Sequence, residues 1–272
     1  MMVIRAFRIR KKFLRLLMVV LVFAVASLIA VCKNPKYETD DGDIFAMEEG
    51  TEAAKEILDV KELLKTEVTA DLSGDLPKVL IFHSHSQEEY SDGGTVVDAG
   101  DILADVLAQE YGITVVHDVN EYDMENGERK IDGSYERMET GVKEILKKYP
   151  TIEVCIDLHR DSAQEGIEMT CDIGGKDTAR LMLVNGVCTA QDSGENPYIK
   201  ENLALSLKMY SAFNENYNGL ARRIYLKPYR YSTFIKPRSL LVEVGCESNT
   251  LEQAQNAMYP LADILINVLE ES

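Results

Sequence analysis

The sequence predicts an α/β domain in which a mostly parallel, twisted sheet is covered by helices on both faces. Two observations predict this fold. Short apolar runs, such as VLIF at 79–82 and SLLVEV at 239–244, are typical of buried strands. Longer segments with apolar residues at helical spacing separate these runs. Buried strands that alternate with helices imply βαβ units and a parallel sheet.

The elements follow one another along the chain at short intervals. Strands are predicted at 79–82, 113–116, 153–158, 179–185, 222–226 and 239–244. Helices are predicted at 96–110, 134–149, 196–217 and 250–269. In sheets of this kind, ligands bind beyond the carboxyl ends of the strands, so we expect the chemically active residues just after the strands.

The N-terminus has the pattern of a membrane anchor. Residues 16–32 carry no charge, and six basic residues precede them. This length is near the minimum for a membrane span, and the basic flank favours a cytoplasmic N-terminus with the rest of the chain extracytoplasmic. A cleaved signal peptide is the alternative. We therefore divide the chain into an anchor at 1–33, an acidic linker with a short helix at 34–76, and a catalytic domain at 77–272.

Charge and cysteine content exclude several classes of protein. The formal net charge is −17 although the first 33 residues are basic, so the remainder is strongly acidic. Such a surface is unsuited to nucleic acid, and we expect no nucleic-acid partner. The later cysteines have no CxxC spacing and are expected to be buried or partly buried thiols rather than metal ligands. These are Cys155, Cys171, Cys188 and Cys246.

Histidines and acids follow the predicted strands. His85 and Glu88 follow the first strand as H-x-x-E, and His159 follows the third. Zinc in catalytic sites takes imidazole nitrogen and carboxylate oxygen and keeps one position open for water. We therefore expect these three residues to bind zinc. Glu243 interrupts the apolar run LLVEV, where an unpaired carboxylate is costly, and is the expected catalytic base.

Some assignments stay open at the level of sequence. Strand alternation aims His83 to the same side as His85, so either could be the ligand, and we place His83 in substrate contact or behind the ligands. Asp98 and Asp101 are the alternative carboxylate ligands. Arg160 and Tyr90 are expected at the site, in substrate binding or behind the ligands. A structural ion pair of Glu243 with Arg160 or Arg238 is the alternative to its catalytic role.

Three sequence blocks together resemble the SpoIIP family, the stage II sporulation proteins P. The blocks are VLIFHSHSQEEY, IDLHRD and LLVEVGCESNTLEQA, and VVHDVNEYD supports them. The resemblance covers roughly residues 77–270. The family usually reads H-T-H-x-x-E-S-Y where this chain has HSHSQEEY, and GGEDNT or similar where it has GCESNT. The differences bear on substrate preference more than on metal binding.

The resemblance implies a zinc-dependent N-acetylmuramoyl-L-alanine amidase that also acts as a peptidoglycan endopeptidase. It further implies the fold of zinc amidases and carboxypeptidases, action during sporulation and engulfment, and SpoIID- and SpoIIM-like partners. The same ligands and base are implied as above. Two other functions compete with this one: a cell-wall-binding or assembly module with a degenerate site, and a metallo-carboxypeptidase.

Overall fold

We describe the fold from a computed structural model. The structure describes residues 44–48, 51, 58–163, 166–188 and 196–270. The predicted anchor and much of the predicted linker lie outside the described residues. No helix within the described ranges has the length and apolar character needed to cross a membrane.

Five helices and eleven strands are found among the described residues. The helices are α1 Val60–Lys65, α2 Val96–Tyr111, α3 Ser134–Lys148, α4 Ile199–Asn216 and α5 Leu251–Glu270. The strands are β1 Phe45–Met47, β2 Val79–Phe82, β3 Val115–His117, β4 Met124–Glu125, β5 Glu128–Arg129, β6 Val154–Asp161, β7 Thr170–Ile173, β8 Lys176–Ala179, β9 Leu181–Gly186, β10 Ile224–Lys227 and β11 Ser239–Cys246.

A seven-stranded sheet forms the centre of the described unit, in the order β1-β10-β9-β11-β6-β2-β3. Every neighbouring pair is parallel except β9 and β11. The prediction of a mostly parallel α/β sheet is therefore confirmed, with one reversal of strand direction inside it. That reversal places β11 between a parallel partner, β6, and an antiparallel partner, β9.

Helices lie on both faces of the sheet but cover them unequally. Side chains alternate along each strand, so Val79 and Ile81 of β2 face one core and Leu80 and Phe82 face another. The larger core receives apolar residues from α1, α2, α4 and α5. The smaller core receives them from α3 and lies over β2 and β6. On this second face, the part over β9 and β11 is bordered by tyrosine side chains.

The structure also differs from the predicted elements at several points. The predicted linker contains β1, which pairs with β10 at the edge of the sheet. Two small hairpins, β4-β5 and β7-β8, were not predicted. Strands β6 and β11 run beyond their predicted ends, to Asp161 and Cys246. His159 therefore lies within a strand rather than just after one, and Glu243 lies within its strand as predicted.

Candidate metal centre and active site

The loop after β2 carries the first two candidate ligands. Strand β2 ends at Phe82, and a series of turns follows. The buried Asp123 carboxylate holds this loop, because it accepts hydrogen bonds from the backbone N–H groups of Ser86 (3.1 Å) and Gln87 (3.1 Å) and from the Ser86 hydroxyl (2.7 Å). Fixing these two residues sets the orientation of the neighbouring His85 and Glu88.

The third candidate ligand and the candidate base lie side by side on adjacent strands. His159 of β6 is the register partner of Glu243 of β11. The two strands are parallel, so both side chains project from the same face of the sheet. On this face, helix α3 packs only over β2 and β6. His159 is 4% exposed, which removes it from bulk water.

His85, Glu88 and His159 form a compact cluster. Glu88 Oε1 lies 3.3 Å from His85 Nδ1, and Glu88 Oε2 lies 3.2 Å from His159 Nδ1. All three ligand atoms lie within 4.8 Å of one another. Nitrogen and oxygen ligands sit about 2.0–2.2 Å from zinc, so tetrahedral neighbours lie roughly 3.3 Å apart. The donor atoms and their spacing fit a zinc ion.

Both histidines present Nδ1 to the cluster and are held through Nε2. His159 Nε2 lies 2.8 Å from Asp157 Oδ1 and 2.8 Å from Ser84 Oγ. His85 Nε2 lies 3.1 Å from Ser134 Oγ, at the start of α3. A hydrogen bond on the far nitrogen fixes the tautomer and ring orientation of a metal-binding histidine. The Asp157 carboxylate accepts only, so His159 Nε2 carries the proton and Nδ1 keeps its lone pair.

Burial and neighbouring charges have opposite effects on the pKa values of the cluster residues. Burial alone would lower the pKa of His159, but the carboxylates of Asp157 and Glu88 raise it well above its usual value. Burial would raise the pKa of Glu88, but His159, His85 and the Arg160 backbone N–H hold it well below its usual range. The two carboxylates on either side of His159 thus favour a positive charge at this position. A bound cation would take the place of that positive charge.

Glu243 is a partly buried acid with no ion-pair partner among the described residues. Its Oε2 atom is buried and accepts no hydrogen bond there. Burial and, to a smaller extent, the Asp161 carboxylate raise the pKa of Glu243 to about 8, although His159 opposes the shift. Arg238, one proposed partner, instead pairs with Glu153. A carboxyl group with a pKa near neutrality is suited to both accepting and donating a proton.

A cavity of about 230 Å³ joins the cluster to Glu243. Tyr135 and Tyr231 form part of its wall and stack edge-to-face on each other, with ring centroids 5.5 Å apart. The remaining lining residues are His85, Glu88, His159, Arg160, Asp161, Ser162, Val184, Lys227, Leu241 and Glu243. A substrate amide in this cavity would reach the cluster and Glu243 at once.

His83 does not join the cluster, and the prediction that it points to the same side as His85 is wrong. Because β2 ends at Phe82, strand alternation does not extend to His85. His83 is fully buried, with Nδ1 2.9 Å from the Leu158 carbonyl oxygen and Nε2 2.9 Å from His117 Nε2. Burial lowers the pKa of His83 to about 4. It packs behind the strand that carries His159.

The two alternative carboxylate ligands are engaged elsewhere. Asp98 completes a capping box at the start of α2, because its Oδ2 accepts from the Thr95 backbone N–H at 2.7 Å. Asp101 Oδ1 lies 2.9 Å from His117 Nδ1. Neither carboxylate belongs to the cluster, so Glu88 is the carboxylate that the fold brings to the histidines.

Tyr90 and Arg160 have different positions around the site. Tyr90 is 3% exposed, donates to the Val244 carbonyl oxygen at 3.2 Å, and does not line the cavity. Arg160 does line it, and its backbone N–H donates to Glu88 Oε2 at 2.9 Å. The Arg160 guanidinium donates to the Glu89 carbonyl oxygen at 2.7 Å. Arg160 therefore holds the Glu88 side of the ligand loop.

Several residues at the site were not predicted from the sequence. They include Ser84, Asp157, Ser134, Tyr135, Tyr231 and Arg222. The motif IDLH did contain a usable signal for one of them. Asp157 is an acid in an apolar strand, two residues before a histidine, so both side chains lie on the same face of the sheet. Ser84 adjoins His85 in the sequence, and the remaining four come from distant segments that only the fold brings near.

The fold and the cluster define an α/β protein with a histidine-and-carboxylate site of the kind that holds a divalent metal. The model of the family Stage II sporulation protein P (SpoIIP) matches residues 29–266, and the chain belongs to this family. The recognition made from the three sequence blocks is thus confirmed.

One curated relative and several solved structures are also similar. The chain is 26% identical to the stage II sporulation protein P of Bacillus subtilis (strain 168) over 216 residues, which is 71% of this chain and 51% of that protein. The chain thus spans about half the length of this relative. An N-acetylmuramoyl-L-alanine amidase from Clostridium difficile 630 is 12% identical, with a TM-score of 0.44 over 72% of this chain and 95% of that one. Amidase AmiC2 of Nostoc punctiforme is 13% identical, with a TM-score of 0.41 over 72% and 97%.

Proposed function

We propose that this protein is a peptidoglycan hydrolase of sporulation that cleaves the N-acetylmuramoyl-L-alanine amide bond with a zinc ion. His85, Glu88 and His159 would hold the ion, and Glu243 would be the acid–base catalyst. One observation carries the proposal: a ligand cluster with zinc-like spacing shares a cavity with Glu243, whose buried Oε2 atom has no hydrogen-bond partner within the described part of the chain. Membership of the SpoIIP family supports the substrate and the sporulation role.

The chemistry needs a water, a polarised carbonyl and a proton carrier. Zinc, when bound, supplies Lewis-acid activation of water and of the scissile carbonyl. Glu243 accepts the proton of the attacking water and donates it to the departing amine. Its burial beside Asp161 raises its pKa to about 8, which favours the return of the proton. Tyr135 and Tyr231 form part of the wall beside this group.

The location and the partners belong to the same proposal. The uncharged run at 16–32 would anchor the protein in the cell membrane, with the catalytic domain at 77–272 outside. An extracytoplasmic position would give the site access to the wall. Peptidoglycan endopeptidase activity and SpoIID- and SpoIIM-like partners are further parts of the proposal, and they follow from the family.

Digestion of purified peptidoglycan tests the proposal. We expect the full chain to release stem peptides and leave lactoyl groups free of peptide, as read by mass spectrometry of the products. A chelator should stop the release, and added zinc should restore it. Release that continues in chelator would contradict the metal mechanism, and products trimmed only at a peptide carboxyl terminus would instead identify a carboxypeptidase.

Two variants separate the metal from the base. Glu243→Gln should keep one zinc per chain and lose hydrolysis, whereas His159→Ala should lose both. Metal content is measured on the purified full chain by elemental analysis. A wild-type chain that holds zinc but releases nothing from the wall would favour the binding-module alternative.

A further inference from the structure

Three tyrosine rings lead from the ligand cluster to the protein surface. Tyr135 packs edge-to-face on His85, with ring centroids 5.4 Å apart. Tyr231 packs in the same way on Tyr135, and Tyr229 packs on Tyr231 with centroids 5.9 Å apart. Tyr135 and Tyr231 line the cavity that contains the cluster, whereas Tyr229 is 54% exposed and is not part of that lining. We call these three tyrosines the tyrosine row.

The segment that carries two of these rings is fixed to the rest of the domain. Tyr229 and Tyr231 lie between β10 and β11. Between them, Arg230 forms an ion pair with Glu139 of α3 at 2.8 Å. Gly186, at the end of β9, has no side chain, so the carbonyl oxygens of Tyr229 and Arg230 can pack against it. The two rings are therefore held in place before any ligand arrives, which lowers the entropic cost of binding.

The backbone of Tyr231 has a conformation that is costly for an aromatic residue. Its φ is +47°, in the left-handed region that glycine and asparagine adopt more readily. Strained residues of this kind persist only where the surrounding structure fixes them, and they are concentrated at ligand-binding and active sites. Tyr231 is fixed by its packing on the apolar cluster of β9 and β11 and by its contact with Tyr135. The strain indicates that the position of this ring, rather than the turn itself, accounts for the tyrosine.

The tyrosine row fits an uncharged ligand that has both C–H and hydroxyl groups. A pyranose ring presents C–H groups on its faces, and these pack against the negative face of an aromatic ring. Its hydroxyl groups can bond to water or to a phenol oxygen. The net charge of the chain is −17, which favours a neutral ligand over an anionic one. In an amide-linked wall glycan the muramic carboxyl group is consumed in the amide, so the sugar chain beside the scissile bond is neutral.

We propose that the tyrosine row binds the sugar rings of the wall glycan next to the residue whose amide is cleaved. This inference rests on the proposed function. Tyr135 contacts the candidate ligand His85, so a sugar whose amide reaches the cluster lies beside the first ring of the row. The neighbouring sugars then continue along Tyr231 and Tyr229 to the surface, where a long polymer can leave the site. Tyr229 is therefore a specificity-determining residue for glycan chains.

Fluorescence of a single introduced tryptophan tests the inference with the full chain in chelator, where no bond is cleaved. The chain has no tryptophan, so Tyr229→Trp adds one fluorophore to the row and keeps an aromatic ring there. The probe is the β-1,4-linked tetramer of N-acetylglucosamine, which is uncharged and carries no peptide. Tyr259→Trp is the matched control, because Tyr259 is 45% exposed and lies on α5 beside Lys176, outside the row. We expect a saturable change of emission in Tyr229→Trp and none in Tyr259→Trp.

Titration calorimetry with the same tetramer measures what the exposed ring contributes. Tyr229→Ala should weaken binding about three- to tenfold, the value of one aromatic contact, whereas Tyr229→Phe and Tyr259→Ala should keep the wild-type affinity. In hydrolysis with zinc present, Tyr229→Ala should raise the KM for a glycan chain of several repeats by the same factor with kcat preserved. The KM for a monomeric muramyl peptide, which is too short to reach Tyr229, should not change.

Failure of the inference and failure of the proposed function give different results. Sugar binding that Tyr229→Ala weakens supports the inference even if no amide is ever cleaved. Absence of tetramer binding, or equal affinity in the wild type and Tyr229→Ala, overturns the inference and leaves the amidase proposal intact. A response of Tyr229→Trp to free stem peptide or to vesicles of neutral phospholipid, without a response to the sugar, also overturns it and assigns the row to that ligand.

Discussion

The buried carboxylate of Asp157 determines which nitrogen of His159 is available to a metal. Asp157 Oδ1 accepts from the Ser84 backbone N–H at 2.9 Å and lies 2.8 Å from His159 Nε2. Asp157 Oδ2 accepts from the Ser84 hydroxyl at 2.9 Å. Asp157→Asn changes charge with little change of shape. The amide oxygen can keep both bonds of Oδ1, while the new NH₂ group donates to Ser84 Oγ.

That exchange frees the Ser84 hydroxyl proton to turn toward His159 Nε2, which lies 2.8 Å away. The competing tautomer, with Nδ1 protonated and facing Glu88, becomes accessible and cannot bind a metal. Loss of such a partner typically lowers metal affinity by 10- to 100-fold, or about 1.4 to 2.7 kcal/mol. We expect Asp157→Asn to lose zinc affinity within that range.

The assay is competition for zinc between the full chain and a chromophoric chelator, with imidazole ¹⁵N shifts reporting the His159 tautomer. Asp118→Asn is the matched control, because Asp118 is also buried and accepts hydrogen bonds from Asn120 and Tyr122, but no histidine. Wild-type zinc affinity in Asp157→Asn, or an equal loss in Asp118→Asn, would refute the tautomer argument.

Three further predictions concern catalysis, a hydrogen bond that holds His85, and packing. Glu243→Gln should reduce muropeptide release about 10²- to 10⁴-fold with zinc content unchanged, and a smaller loss would remove its role as base. Ser134→Ala removes a neutral hydrogen bond to His85, worth about 0.5–1.5 kcal/mol, so zinc affinity should fall by at most about tenfold in the same competition assay. Gly186→Ala places a Cβ against the Tyr229 carbonyl oxygen, where there is no room for it, and should lower the free energy of unfolding by roughly 1–3 kcal/mol. Urea denaturation measures this change, and unchanged stability would contradict that packing.

Much of the fold could be predicted because buried strands and helices have recognisable apolar patterns in the sequence. The apolar runs predicted β2 at 79–82 without error, and apolar periodicity predicted α2 and α3 to within a residue. The direction of a strand produces no such pattern, so the antiparallel pairing of β9 with β11 was not predicted. The short hairpins and β1 lack a recognisable apolar run because each of their strands is only two to four residues long.

The candidate site was predictable where the chemistry is local. His85 and Glu88 lie three residues apart in one loop, and His159 stands near the end of a recognisable strand. The choice between His83 and His85 could not be made, because it depends on where β2 ends. A strand that stopped two residues later would have kept both side chains on one face. The turn that follows Phe82 separates them.

The two strands that cross the site share one feature of sequence. Each carries an acid inside an apolar run, Asp157 in β6 and Glu243 in β11, and each acid is fully or largely buried. An acid in such a position is costly unless something compensates for it. Asp157 is compensated by hydrogen bonds to Ser84 and His159, so its pKa is lowered although it is buried. Glu243 has no such compensation among the described residues and its pKa is raised. We therefore expect the charged Asp157 to orient His159 and the raised pKa of Glu243 to suit it to the proton transfer proposed above.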